Sequence, residues 1–254
     1  MSTLRPRVIP CLQLRNRSLV KTRRFRDPVY LGDPVNAVKI FNDKEADELI
    51  VLDISATVEG RAPNFEFIAE FASECFMPLA YGGGITSPEH VARLFAIGIE
   101  KAVINTAAFD SDLVTRAARD FGSQSIVVSM DVKKGLLGGH EVYVRSGTQR
   151  TRLDPVAYAR RMEEAGAGEL FVNFIDLEGT QSGYNSGVLA EVTAAVRIPV
   201  IGCGGAGTLE HMRAAFTETG VAALAAATMF CLHGKLRAPL ISFPTPEEVA
   251  GLRA

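Results

Sequence analysis

Short runs of apolar, often β-branched residues alternate with amphipathic stretches along the whole chain. A short apolar run bounded by turn formers reads as a strand buried on both faces. Apolar positions at i, i+3, i+4 and i+7 read as a helix packed on one side. The strand-like runs lie at residues 8–12, 49–53, 78–81, 102–105, 126–131, 170–175, 199–203 and 222–226. Asp33-Pro34 opens the first helix, and Asp154-Pro155 repeats the device at the fifth. In both, a capping carboxylate precedes a proline at the first helical position, where the missing N–H is not needed. A second helix is expected near residues 65–75. A third begins at Ser87-Pro88, with Val91, Leu94, Phe95 and Gly98 at helical spacing. Others start at Ser111-Asp112 and Ser186, and Thr245-Pro246-Glu247-Glu248 caps a last short one. Residues 15–24, with Arg15, Arg17, Lys21, Arg23 and Arg24, read as a polar, basic loop. Residues 134–151 read as a long loop with a small hairpin strand at 141–144.

Eight strands alternating with helices fit either an open doubly wound sheet or a closed barrel. An internal repeat decides. The run Pro78-Leu79-Ala80-Tyr81-Gly82-Gly83-Gly84 returns 121 residues later as Pro199-Val200-Ile201-Gly202-Cys203-Gly204-Gly205. Glu48-Leu49 returns as Glu169-Leu170 at the same offset, and Asn105 pairs with Ala226. The first and fifth strands align at 118, which matches Val8 with Ile126 and Gln13 with Asp131. Two matching four-strand halves close naturally on each other, whereas an open sheet gives no reason for them to match. The expected fold is a (βα)8 TIM barrel, one domain over 1–254, with half-barrels at about 1–122 and 123–254. A length of 254 residues suits it, since such barrels need about 250.

Composition narrows the function. A net charge of −2 gives no electrostatic case for nucleic acid or an anionic membrane. No apolar run reaches the roughly 18 residues of a membrane span, and residues 1–7 lack the apolar region of a signal peptide. Cys11, Cys75, Cys203 and Cys231 are far apart, with no CxxC pair. They read as free thiols in a reducing cytoplasm. His90, His140, His211 and His233 are scattered, so neither a metal site nor a cofactor is expected, and no nucleophilic triad is visible.

Barrels of this kind carry their sites at the C-terminal ends of the strands. Two anion sites are expected there: Gly83, Gly84, Asn105 and Thr106 form one, and Gly204, Gly205, Ala227 and Thr228 the other, with Gly179 and Thr180 beside it. Glycine lets backbone N–H groups approach an anion, and helix N-termini add positive charge. Lys21 and Asp176 are further ligand-contact candidates. The alternative is that both glycine turns persist from a duplicated ancestral half without ligands. Gln13 and Asp131 face each other as symmetry mates at the centre of that face. A carboxylate at each would supply a general base and a general acid. Here only Asp131 titrates, because Gln13 is a neutral amide. Asp53 and Asp176 either orient a ligand or close their own turns. At the opposite end, Arg7, Glu48, Lys101 and Glu169 stand at strand starts, two cations and two anions that could close a neutral ring. From the residues alone, bottom-face stability accounts for them.

Taken together, these blocks resemble HisF, the cyclase subunit of imidazole glycerol phosphate synthase. The resemblance covers nearly the whole chain. It is most specific at Asn105-Thr106-Ala107-Ala108, Gly122-Ser123-Gln124 and Gly179-Thr180-Gln181-Ser182-Gly183-Tyr184. It implies ammonia from a separate HisH-like glutaminase, passed through the barrel to a bisphosphorylated ribosyl substrate. It also implies that Arg7, Glu48, Lys101 and Glu169 are the ammonia gate. Gln13 departs from the family, which carries a catalytic Asp there. The stretches 7–12, 19–22, 74–79 and 240–244 look more like the HisF-like paralogues of surface-polysaccharide clusters, the WbuZ type. That likeness implies an ammonia-conducting role in acetamido-sugar amidation, with a sugar amidotransferase as a further partner. A true cyclase of histidine biosynthesis and a non-catalytic scaffold for the glutaminase are the alternatives.

Overall fold

Continuous apolar runs such as Leu49-Ile50-Val51 and Ile126-Val127-Val128 have no polar face to turn to water, so they pair in parallel with cover on both sides. In the computed structural model, which describes residues 6–135, 138–234 and 236–253, eight of them form a ring. They are β1 (Arg7–Arg15), β2 (Leu49–Asp53), β3 (Leu79–Gly82), β4 (Lys101–Ile104), β5 (Ile126–Lys134), β6 (Glu169–Phe174), β7 (Val200–Cys203) and β8 (Ala223–Ala226). Each pairs in parallel with its neighbours, β1 also with β8, and β5 with β6, so the sheet closes. The structure is the expected (βα)8 barrel. Residues 1–5, part of the segment read for a signal peptide, lie outside the described residues, as do 136 and 137 of the predicted long loop.

Alternation along each strand sorts the apolar residues into two cores. Val8 and Leu12 face outward to the helices, while Ile9 and Cys11 face a separate inner cluster with Ile50, Val103, Val127 and Phe171. The outer layer is α1 (Pro34–Asp43), α2 (Phe65–Ala72), α3 (Pro88–Ala96), α4 (Asp112–Phe121), α5 (Pro155–Glu164), α6 (Ser186–Ala195) and α7 (Leu209–Thr219), followed by the short α8 (Thr228–Cys231) and α9 (Pro246–Ala250). The predicted caps are in place. Asp33 and Asp154 accept from Asn36 and Ala157 N–H, each at 3.0 Å. Thr245 and Glu248 form a reciprocal capping box.

The stretch 15–24 is a correction. It is not a loop: β1 runs on to Arg15 and turns at Asn16 and Arg17, both at positive φ. It then pairs antiparallel with Ser18–Arg23, which pairs in turn with Arg26–Gly32. The basic residues hid the strand, because Leu19, Val20, Lys21 and Thr22 are all buried while the arginines around them point to water. The long loop contains the expected hairpin strand, His140–Val144, paired with an extension of β5 and with Gln149–Arg150. α2 ends at Ala72, short of the expected 75. Among the described residues no helix is long and apolar enough to cross a membrane.

Candidate functional site

The C-terminal ends of β1 to β6 surround a cavity of about 300 Å³. Gln13, Gly83, Gly84, Asn105, Thr106 and Asp131 all line it. The glycine turn at 83–84 is fixed by close packing. A Cβ on Gly83 would lie 2.5 Å from the Asp53 carbonyl oxygen, and one on Gly84 2.4 Å from that of Arg61. Thr106 Oγ1 accepts from Arg145 N–H at 2.9 Å, which ties the hairpin after β5 to the same rim. Ser146 from that hairpin and Phe25 from the one after β1 complete the wall.

Asp131 is the cavity's central titratable group. It is 6% exposed, and burial raises its carboxyl from 3.8 to about 7 despite hydrogen bonds from Asn105 and Asn173. Asn105 Nδ2 donates to Asp131 Oδ2 at 3.3 Å and to the Ser129 carbonyl at 3.2 Å. Asn173 stands in register with Asp131 across the β5–β6 ladder. Its Oδ1 is buried and has no hydrogen-bond partner among the described residues.

Sequence reasoning leaves Asp131 without a carboxylate twin because Gln13 stands opposite it, and in the structure Gln13 is itself held by a carboxylate. Glu178, in the turn after β6, is 5% exposed, and its Oε1 accepts from Gln13 Nε2 at 2.8 Å. Lys21, itself 2% exposed, forms an ion pair with Glu178. Burial lowers the Lys21 ammonium from 10.5 to about 8. Gln13 Oε1 accepts from both the N–H and the hydroxyl of Thr22, each at 3.0 Å. A readable signal was present: Glu178 lies two residues past the strand-end Asp176 and immediately before the specific block Gly179–Tyr184.

The second group of candidates stands apart from this cavity. Lys21, Asp176, Gly179, Thr180, Gly204, Gly205, Ala227 and Thr228 are not among its lining residues. A Cβ on Gly205 would lie 2.0 Å from the Gly183 carbonyl oxygen, so this turn is packed against the loop after β6. Thr228 Oγ1 is buried without a hydrogen-bond partner among the described residues. Asp176 Oδ2 accepts from Lys134 N–H at 3.0 Å, and Thr180 Oγ1 donates to the Leu177 carbonyl at 2.7 Å. Asp53, whose role was open, closes its own turn: Oδ1 accepts from Ser55 and Ala56 N–H at 2.9 and 3.0 Å.

At the opposite mouth the four charges meet. Arg7 pairs with Glu48 and, at 2.8 Å, with Glu169. Lys101 Nζ lies 3.0 Å from Glu48 and 2.9 Å from Glu169. Each charge touches two of opposite sign, which makes a closed ring. Above it lies the apolar inner cluster of Ile9, Ile50, Ala80, Val127, Phe171 and Ala225. Among the described residues no group of His, Cys, Asp or Glu is placed to hold a metal ion.

Comparison with known proteins accords with this geometry. The family of histidine biosynthesis proteins matches over residues 7–237. A Pseudomonas aeruginosa protein, provisionally named imidazole glycerol phosphate synthase subunit hisF2, is 50% identical over 242 residues, spanning 95% of this chain and 96% of that one. A Leptospira borgpetersenii protein with the provisional name imidazole glycerol phosphate synthase subunit HisF is 42% identical over 243 residues, or 95% and 96%. The imidazole glycerol phosphate synthase subunit HisF of Alkaliphilus metalliredigens is 41% identical over 225 residues, or 88% and 89%.

Proposed function

Because this chain belongs to the histidine biosynthesis protein family and is HisF-like along nearly its whole length, we propose that it is the synthase-type subunit of a cytoplasmic glutamine amidotransferase complex. A HisH-like glutaminase docks beneath the barrel. Ammonia enters through Arg7, Glu48, Lys101 and Glu169, crosses the lumen and emerges beside Asp131, where a phosphorylated ligand is held at Gly83, Gly84, Asn105 and Thr106. The ammonia serves amidation of an acetamido sugar for surface polysaccharide, with a sugar amidotransferase as a further partner.

One observation carries the reading: a closed four-charge ring beneath an apolar lumen. An unpaired ammonium ion would meet a desolvation cost of several kcal/mol in that lumen, whereas neutral ammonia would not. A ring that exchanges its partners can admit the neutral molecule and hold back cations. Asp131, near neutrality at about 7, can hold or release a proton where ammonia arrives. The test reconstitutes the chain with a HisH-type glutaminase and follows glutamine hydrolysis and ammonia delivery. A Lys101→Ala/Glu169→Ala variant should uncouple delivery from hydrolysis. Unchanged delivery would remove the gate from the proposal.

A second reading, the cyclase of histidine biosynthesis, is favoured by Glu178, which puts a carboxylate 2.8 Å from Gln13. It is tested with ammonium and the bisphosphorylated ribosyl substrate of that pathway. Restoring Asp at position 13 must be paired with Glu178→Gln, because Gln13→Asp alone sets two buried carboxylates together. Robust turnover by the wild-type chain selects the cyclase over sugar amidation.

A further inference from the structure

We infer that the chain has a second binding site, beside the upper cavity, which takes a small carboxylate with a short apolar tail. The site is a cavity of about 110 Å³ between the turn that follows β1, the end of β2 and the start of α2. Neither the four-charge ring nor Asp131 belongs to it.

The buried part of this cavity is apolar, with one exception. Leu14, Phe67 and Ile68 line it together with Tyr81. Tyr81 is 1% exposed, yet its hydroxyl makes no hydrogen bond among the described residues. A buried tyrosine hydroxyl ordinarily has a partner, and one without a partner is costly. Burial, with Asp53 adding to it, holds this phenol above its ordinary value. It therefore stays neutral and has a proton to donate.

The mouth is positive. Its charged lining is Arg17, Arg61 and Asp53, two cations to one anion. Asn16 and Arg17 form a two-residue turn with φ of 50° and 64°, where glycine is the usual second residue. Arg17 stands there instead, with its guanidinium 4.3 Å from the centre of the Phe67 ring. Its Nη2 donates to both Glu70 oxygens, at 2.9 and 3.0 Å. Its Nε and Nη1 make no hydrogen bond among the described residues. Arg61 donates to Glu59 through Nε and to Ser55 through Nη2. Its Nη1 lies 3.7 Å from Asp53 Oδ2, too far for a hydrogen bond. The other Asp53 oxygen is held by Ser55 and Ala56. Glu59 and Glu70 are exposed partners, and ion pairs of that kind contribute little and yield to a ligand.

Donors thus outnumber acceptors at a mouth that stands over an apolar floor. A carboxylate accepts from the Tyr81 hydroxyl and the two guanidiniums, and its alkyl end covers the floor. An alcohol of the same length brings no charge to the guanidiniums. Phosphate, with oxygens on every side, has no apolar end for Leu14, Phe67 and Ile68. Asp53 also lines the upper cavity, and Gly83 and Gly84 pack against the Asp53 and Arg61 carbonyls. An occupant of the second site therefore touches, from behind, the residues that hold the glycine turn.

The test titrates the full chain with sodium butyrate, n-butanol and sodium phosphate at fixed ionic strength, followed by NMR chemical shifts. Butyrate should bind saturably at millimolar concentration. The alcohol should bind about 10-fold more weakly or worse, the size expected for hydrogen bonds to a charged group. Tyr81→Phe should also weaken butyrate about 10-fold, while the ligand-free chain melts at the same temperature or higher, because no hydrogen bond is lost. Arg17→Gln, an exposed change at the mouth, should weaken butyrate by a similar factor, and it carries the test if Tyr81→Phe does not fold. No saturable butyrate binding means a water-filled cavity only and overturns the inference. Equal binding of butyrate and n-butanol overturns the carboxylate class, and so does phosphate that displaces butyrate at equal or lower concentration. Butyrate affinity unchanged in the folded variants puts the ligand elsewhere and removes the site.

Discussion

Asp131 is costly to the fold in its charged form, and that cost depends on pH in a known direction. In the unfolded chain it ionises near 3.8, and in the folded chain near 7. Between those values the folded state holds a proton that the unfolded state has lost, so this residue's contribution to stability falls as pH rises through the window. Above it the full penalty is present. Asp131→Asn should therefore melt close to the wild type at pH 4 and several degrees higher at pH 8, from a difference of a few kcal/mol at most. A melting difference independent of pH would reject the raised carboxyl. Lys21 works in the other sense. Its folded value, about 8, lies below the ordinary 10.5, so below pH 8 the fold must carry a buried cation, which pairs with Glu178. Glu178→Ala should cost about 3–5 kcal/mol at pH 7, the range for a buried charge stripped of its partner. The loss should shrink toward pH 10 as Lys21 gives up its proton, and Lys21→Met/Glu178→Ala should recover part of it. Urea unfolding at the two pH values reads both effects. From the residues, Gln13 facing Asp131 was legible because the repeat aligned them. Lys21 and Glu178 were not, because nothing local says that a lysine between arginines is buried, or that the second carboxylate after β6 folds back 165 positions to β1.

At the level of elements, periodicity and caps were the most readable features. Asp33, Asp154 and Thr245 cap as their dipeptides announce, and the eight barrel strands lie within a few residues of their apolar runs. The miss came where pattern and charge disagreed. The strand Ser18–Arg23 alternates weakly, and its outer neighbours are arginines, so composition argued for a loop; pairing with β1 decided otherwise. Glycine turns are a case where the residue type was legible and its reason was not. Gly205 reads as an anion-binding glycine, yet at φ 103° its nearest constraint is the Gly183 carbonyl. Gly205→Ala should therefore destabilise the chain by about 2 kcal/mol or more with no ligand present, since the strained φ and the 2.0 Å contact act together. Thermal melting of the ligand-free chain checks this. An unchanged midpoint would mean that the turn yields easily and that the glycine serves ligand approach alone.

For the whole molecule, the ring beneath the barrel links four strand starts far apart in sequence. Arg7 begins β1, Glu48 precedes β2, Lys101 begins β4 and Glu169 begins β6. The two glutamates are nearly buried, with side chains 7% and 5% exposed, while Arg7 and Lys101 keep 32% and 22% of theirs. The carboxylates therefore depend on the cations more than the reverse. Removing Lys101 leaves Glu48 and Glu169 sharing Arg7 alone, two buried like charges with half their compensation. Removing Lys101 and Glu169 together leaves Arg7 paired with Glu48, one cation to one anion. The double variant Lys101→Met/Glu169→Gln should accordingly be more stable than the sum of its two single variants by about 1–3 kcal/mol, the usual coupling within one charge network. A double-mutant cycle by urea denaturation measures it. Independent, additive losses would mean that the four charges act as separate surface pairs. In that case they would hold strand ends and regulate nothing, and the ring would cease to support passage of a small neutral molecule through the barrel.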